Sequence, residues 1–224
     1  MRKQSVLRRI PALFLLFGIA GTAFAQNIVP NQNFDTQVPP WLQYLSSAPD
    51  PAGAGAAPAW SSSDINNSPS SGSALVDIDT STPAVNAASG ISQCVDFAAT
   101  SVSLVNYGIG IRVPSTTTTD ASINATVEMR LFSGASCSGF ITGGSQGRTL
   151  VAGLASDTNW YLVGDSSFVP PGAPVTAASV LIRAYLRQVS GGQPTAPDYK
   201  VDFDAAHLVL NSTTPVRLQA FDVE

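Results

Sequence analysis

The chain has 224 residues, of which 44% are hydrophobic and only 12% are charged, and its formal net charge is −4. This low charged fraction argues against long solvated helices, and abundant Ser, Thr, Gly, Ala and Val favour extracytoplasmic β structure. One histidine and two cysteines exclude zinc sites built on several imidazoles or on four cysteines. The lack of a basic cluster after residue 9 argues against a nucleic-acid partner.

The first 25 residues have the pattern of a signal peptide. Four basic residues up to Arg9 precede an apolar run over residues 10–20, which is shorter than a membrane-spanning helix. The small residues Ala23 and Ala25 predict cleavage after Ala25. The sequence therefore predicts a secreted or periplasmic protein without a membrane span. Its mature chain carries seven basic and fifteen acidic side chains, a net charge of −8.

Export places the two cysteines, Cys94 and Cys137, in an oxidising compartment, where an even count predicts one disulfide. Neither cysteine has a histidine or basic neighbour in sequence that would activate a catalytic thiol. The predicted bond closes a loop of about 44 residues, which stabilises a fold by roughly 4 kcal/mol in the chain-entropy model.

Residues 26–224 are predicted to form one all-β domain, an antiparallel β-sandwich. The clearest alternation of apolar and polar residues lies at 121–132 and 179–187, and no window of ten residues in the mature chain has a helical period. In chain order, the predicted strands are residues 74–78, 90–97, 101–113, 121–132, 160–165, 179–187 and 199–210.

Gly, Pro and Ser clusters mark the predicted turns between these strands. They lie at residues 133–136, 143–145, 170–172 and 191–194. Residues 115–120 form a Thr-rich turn. Residues 46–73, rich in Ala, Pro, Ser, Gly and Asn, are predicted to be a long loop with Trp60 as its only aromatic residue. A loop of this length in a compact domain is either functional or disordered, and the sequence leaves both open.

Several phrases occur in the order typical of one family. They are residues 27–35 followed by Trp41, residues 71–76, residues 91–95, Trp160 before the turn at 169–173, and the closing phrase at 201–208. Together they span nearly the whole mature chain. The chain thus resembles the secreted carbohydrate-binding-module-like (CenC-type) jelly-roll domains of the galactose-binding-like superfamily, which implies a sandwich of jelly-roll type.

The resemblance also implies a structural calcium ion that ties the first strand to the last. Calcium takes six to eight oxygen ligands, and Asp35 and Asp204 are the carboxylates at the matching positions. The sequence departs from the family here, because Gln32 and Asn33 replace the usual small glycine pair, Asp35 replaces Glu, and Ala205 stands where the second acid usually lies. One carboxylate is therefore missing from the expected set.

The function implied by the resemblance is a non-catalytic module that recognises a glycan or cell-surface polysaccharide. Sugar binding needs an aromatic ring against the apolar face of a pyranose, flanked by polar groups that bond its hydroxyls. Two of the predicted strands carry such groups on faces away from the core, and these would line one concave surface if the strands share a sheet. With the loop aromatic, the candidate ligand-binding residues are Trp60, Glu128, Arg130, Arg183, Tyr185 and Arg187.

Two alternatives stay open. In a structural or adhesive extracellular protein without a sugar ligand, Trp41 and Trp160 would be core residues and Tyr185 an ordinary half-exposed strand residue. In a hydrolase, residues 143–147 would form a Gly-x-Ser-x-Gly elbow with Ser145 as nucleophile and His207 as base. Such an elbow needs a helix after the serine, whereas β pattern follows here, so no catalytic residue is expected. Protein partners stay unassigned.

Overall fold

A computed structural model describes residues 26–46, 57–79, 86–114, 120–150, 159–189 and 198–211. These residues form ten β-strands and no helix. The strands are β1 (Leu42–Leu45), β2 (Ala59–Ser61), β3 (Ser73–Asp79), β4 (Ala88–Val102), β5 (Val105–Arg112), β6 (Asp120–Phe132), β7 (Phe140–Leu150), β8 (Tyr161–Phe168), β9 (Val175–Gln188) and β10 (Asp198–Leu210). Within the described ranges, no helix is long and apolar enough to cross a bilayer.

The strands form two five-stranded sheets in which every neighbouring pair is antiparallel. The first sheet has the order β1-β4-β9-β6-β7, and the second has the order β2-β3-β10-β5-β8. Most neighbours in a sheet are distant in sequence, because the chain crosses between the sheets. The predicted all-β, antiparallel sandwich of jelly-roll type is confirmed.

The core lies between the sheets and follows the predicted alternation. On β6, the alternate residues from Ile123 to Leu131 are fully buried, and on β9 the alternate residues from Val180 to Leu186 are buried as well. Tyr107 on β5 and Phe203 on β10 are among the largest buried side chains. Burial of each such aliphatic or aromatic side chain stabilises the fold by about 1.5 to 3 kcal/mol, and it leaves the opposite side of each strand to form an outer face.

The strand predicted over residues 101–113 is wrong in one respect, because β4 ends at Val102 and β5 begins at Val105. The turn between them contains no glycine or proline that would mark it. Asn211 fixes it from the end of β10: its side-chain oxygen accepts the Ser103 N–H at 2.8 Å, and its Nδ2 donates to the Ser101 carbonyl at 2.9 Å. A partner so distant in sequence leaves no local signal.

The turn predicted at residues 143–145 is also wrong, since these residues lie inside β7 and pair with β6. A Cβ on Gly144 would lie 2.8 Å from the Tyr107 hydroxyl oxygen and 2.9 Å from the Phe168 ring. Here glycine leaves space for large side chains of the opposite sheet. The glycine-rich sequence reflects packing rather than a change of chain direction.

The long loop predicted over residues 46–73 contains a strand. β2 pairs with β3, so Trp60 lies on a sheet edge and not in a loop. Residues 47–56 of that loop, the predicted signal peptide, the predicted turn at 191–194 and all but the last residue of the Thr-rich turn lie outside the described residues. The predicted disulfide is confirmed: Cys94 of β4 is bonded to Cys137 in the β6–β7 connection, with their Cα atoms 6.0 Å apart.

Candidate functional site

The side of the first sheet that faces away from the core, called here the first outer face, gathers most of the predicted ligand-binding residues. β6 and β9 are neighbours in this sheet, in a register that places Glu128 opposite Arg183 and Thr126 opposite Tyr185. The condition set by the sequence, that the two strands share a sheet, is therefore met. The predicted residues on this face are Glu128, Arg130, Arg183, Tyr185 and Arg187.

Two tyrosines form an aromatic pair on this face. Tyr44 of β1 and Tyr185 of β9 lie on either side of β4, and Gly90 is the β4 residue opposite both of them. Because Gly90 has no side chain, the two rings meet above it with centroids 5.2 Å apart and an interplanar angle of 59°. Tyr185 is only 6% exposed, whereas Tyr44 is half-buried and therefore partly accessible from outside.

A charged cluster adjoins the tyrosine pair. Arg183, only 8% exposed, places its guanidinium 4.6 Å from the centre of the Tyr44 ring, and its Nε lies 3.4 Å from a carboxylate oxygen of Glu128. Arg130 forms a second ion pair with Glu128. One carboxylate thus lies between two guanidinium groups, which holds all three side chains in place beside the rings.

Two polar atoms of this face, the Tyr185 hydroxyl oxygen and Asn124 Oδ1, have unusual surroundings. Burial, reinforced by the nearby Glu128 carboxylate and by Tyr44, raises the pKa of Tyr185 to about 12, so its hydroxyl stays neutral and both donates and accepts hydrogen bonds. Within the described part of the chain, Asn124 Oδ1 is buried without a hydrogen-bond partner. A buried acceptor without a partner carries a desolvation cost, and a ligand would reach this atom only after a neighbouring side chain moves.

The first outer face has only small side chains along its edge strand β7. Gly143, Ser145 and Gly147 face Arg130, Glu128 and Thr126 of β6 and place almost no side-chain bulk beside them. At the end of this edge, Phe140 is 61% exposed. The face is therefore open along β7, so that an extended ligand can continue across it.

Trp60 does not belong to this face. It lies on β2 at the edge of the second sheet, is 42% exposed, and donates its indole N–H to the Phe34 carbonyl at 2.7 Å. Sequence reasoning also missed Tyr44, because the four residues of β1 are too few to show an alternation. The only available signal was an aromatic residue shortly after Trp41.

The two acids predicted to hold calcium have different surroundings. Asp35 is exposed, whereas Asp204 is fully buried and its two carboxylate oxygens accept the backbone N–H groups of Ile65 at 2.9 Å and Ala205 at 2.6 Å. Among the described residues, no group of three or more acidic, His or Cys side chains could hold a metal ion. Calcium also takes backbone carbonyl and side-chain amide oxygens, so calcium binding stays a prediction from the resemblance.

A side chain ties the chain start to the last strand in the place where the resemblance implies an ion. Asn27 donates from Nδ2 to the Ala206 carbonyl at 2.9 Å, and its Oδ1 accepts the Leu208 N–H at 3.0 Å. The backbone N–H of Ile28 adds a bond to the Leu208 carbonyl at 3.1 Å. These neutral hydrogen bonds join the two segments.

The carboxyl group of Asp204 is the most perturbed acid of this region. Burial, with a smaller contribution from the carboxylates of Asp64 and Asp202, raises its pKa to about 7 against the lowering effect of the bonds from Ile65 and Ala205. The folded protein therefore holds a proton on Asp204 at pH values where the unfolded chain has released it.

We expect the free energy of unfolding to fall as the pH rises from about 4 to about 7, because the unfolded chain binds fewer protons in that range. Asp204→Asn, a neutral mimic of the protonated acid, should flatten this fall. Urea midpoints measured across that pH range check it. Burial lowers the pKa of His207, which works in the opposite sense, but it is common to both proteins and cancels in their difference. Parallel pH profiles for the two proteins would contradict the prediction.

The serine-hydrolase motif is not assembled. Ser145 lies on β7 opposite Glu128, on the first outer face. His207 lies on β10 with its ring above Gly108 of β5, on the outer side of the second sheet. The two side chains are thus on opposite sides of the sandwich, so they cannot act as nucleophile and base of one triad.

No protein-family model and no curated protein sequence matches the chain. Among solved structures, the enzymatically active domain of tailspike protein 4 from bacteriophage CBA120 has a TM-score of 0.51 at 12% identity, over 82% of this chain and 21% of that one. TmCBM61, in complex with beta-1,4-galactotriose, has a TM-score of 0.49 at 13% identity, over 83% of this chain and 99% of that one. The C-terminal family 22 carbohydrate-binding module of Clostridium thermocellum Xyn10B has a TM-score of 0.43 at 13% identity, over 82% and 94%.

The chain thus spans about a fifth of the tailspike chain and nearly all of TmCBM61. At 12% identity, the likeness to the tailspike domain concerns the fold alone. In fold, the chain is a jelly-roll β-sandwich, and part of the tailspike chain has a similar fold.

Proposed function

We propose that the chain is an exported, non-catalytic domain that binds a glycan or cell-surface polysaccharide on the first outer face. The observation that carries the proposal is the Tyr44–Tyr185 pair beside the Arg183–Glu128–Arg130 cluster. A half-buried ring packs against the apolar face of a pyranose, and the fixed polar groups next to it bond the sugar hydroxyls.

The charge balance of the cluster favours a neutral sugar. Glu128 offsets one of the two positive charges of Arg183 and Arg130, which leaves a net charge of +1 that repels a basic ligand. The net charge of −8 on residues 26–224 opposes an acidic one. The open edge along β7 lets a chain longer than one residue cross the face. We therefore propose an internal segment of a neutral polysaccharide as the ligand.

The test is binding of disulfide-intact residues 26–224 to a panel of neutral glycans that includes β-1,4-galactan and xylan. We expect Tyr44→Ala to weaken binding at least tenfold, because loss of a stacked ring costs about 1.5 kcal/mol. Tyr44→Phe, which keeps the ring, should retain most of the affinity. Calorimetry and affinity electrophoresis give the two dissociation constants.

Leu162→Ala is the matched control, since Leu162 is 68% exposed on the second sheet and its loss should leave the affinity unchanged. Equal affinities for Tyr44→Ala and the unmodified protein would place any sugar site elsewhere. If the folded protein binds none of the glycans, the structural or adhesive alternative is favoured.

A further inference from the structure

A polar cleft lies on the other side of the sandwich, on the outer face of the second sheet. Its volume is about 570 Å³. Arg112, at the end of β5, and Trp160, just before β8, line it together with the segment of residues 62–68. This cleft contains none of the residues of the first outer face, from which the two packed sheets separate it.

The segment that walls the cleft is fixed by a buried carboxylate. Asp64, 6% exposed, accepts the N–H groups of Asn66 at 2.7 Å and Ser68 at 2.8 Å, and it also accepts the Ser71 hydroxyl at 2.7 Å. A further bond runs from the Ile65 N–H to Asp204. The wall is thus shaped before any ligand arrives, which reduces the entropy lost on binding.

The Arg112 side chain is also fixed by hydrogen bonds. Its Nε and Nη2 donate to one oxygen of the buried Asp202 at 3.2 and 2.8 Å, Nη2 also bonds the Ser63 hydroxyl, and the other Asp202 oxygen accepts the Ser73 hydroxyl at 3.1 Å. The guanidinium lies 5.6 Å from the centre of the Trp160 ring. The cleft thus contains a positioned indole beside an arginine whose charge is already paired.

The remaining lining is neutral, and all of it except Ile65 is polar. Asp64 and Asp202 both form hydrogen bonds within the protein, so they offer no strong site for a cation. Asp202 also compensates the positive charge of Arg112, which would otherwise attract an anion. An indole among hydroxyl and amide groups matches a ligand with an apolar ring face and several hydroxyls. The polar lining residues that carry this argument are Ser62, Ser63, Asn67 and Asn159.

We propose that this cleft is a second binding site for a neutral sugar, with Trp160 as its aromatic contact, so that one domain binds two glycan chains on opposite sides. The inference deepens the proposed function and depends on it for the class of ligand. Two sites that face in opposite directions cannot both bind one short oligosaccharide. They would instead bridge separate chains of a polysaccharide and increase avidity for it.

The experiment is calorimetric titration of residues 26–224 with a soluble neutral oligosaccharide of the glycan that binds. We expect two sites in the unmodified protein and one each in Trp160→Ala and Tyr44→Ala. Asn67→Gly tests the cleft without disturbing the fold, because Asn67 has a φ of 56° that glycine adopts freely. It should weaken the second site about fivefold through loss of one hydrogen bond.

The outcomes separate this inference from the proposed function. One outcome is a single site that Tyr44→Ala removes but the two cleft variants, Trp160→Ala and Asn67→Gly, leave intact. This result would overturn the second site and retain the first. A single site that only the cleft variants weaken would support the cleft and overturn the first outer face. Absence of binding to any glycan would overturn both.

Discussion

Replacement of both cysteines, as Cys94→Ala with Cys137→Ala, is expected to lower the free energy of unfolding by about 4 kcal/mol. The bond joins residues 43 positions apart, and its loss frees a loop of that length in the unfolded chain, which the chain-entropy model values at this magnitude. The expected effect is a large share of the 5 to 15 kcal/mol that typically separates folded from unfolded domains.

The folded state should change little in this variant, because other bonds hold the β6–β7 connection in place. The Cys137 N–H donates to the Ser179 hydroxyl at 3.1 Å, and the Ser136 N–H donates to an Asp96 carboxylate oxygen at 2.7 Å. Urea unfolding of the variant and of the reduced native protein should give the same loss and a larger m-value. A loss below about 1 kcal/mol would contradict the entropic account.

The sequence predicts the fold where its pattern is strong and local. β6 and β9 alternate over nearly their whole length, because one side of each strand faces the core and the other faces outward. This pattern also indicated which face carries Tyr185, Arg183 and Glu128. The disulfide followed from the predicted compartment and the cysteine count alone.

What the sequence missed depends on contacts between distant segments. β1 and β2 have four and three residues and form because a neighbouring strand offers an edge, so propensity gives no warning of them. Tyr44 belongs to the candidate site only through the pairing of β1 with β4. Trp160, which the sequence places at the start of a predicted strand, precedes β8 and lies in a cleft whose wall is fixed by Asp64, a residue inside the predicted loop.

Gly90 is the residue on which the geometry of the first outer face depends most. It faces Tyr44 of β1 on one side and Tyr185 of β9 on the other. A Cβ at this position would overlap the Ala184 carbonyl oxygen and both the backbone and the Cβ of Tyr185. These atoms belong to a central strand that is paired on both sides, so they cannot move aside without breaking the pairing of β4 with β9.

We expect Gly90→Ala to lower the free energy of unfolding by about 3 kcal/mol, at the upper end of the usual cost of overpacking, and to weaken glycan binding at least tenfold. Urea unfolding measures the first effect and calorimetry measures the second. Gly147→Ala is the matched control on the same face, because Gly147 lies on the edge strand β7 and its new Cβ would lie 3.2 Å from the rotatable Thr126 hydroxyl. That change should alter stability by less than about 1 kcal/mol. Equal effects of the two substitutions would show that Gly90 acts through strand propensity and not by bringing the two tyrosine rings together.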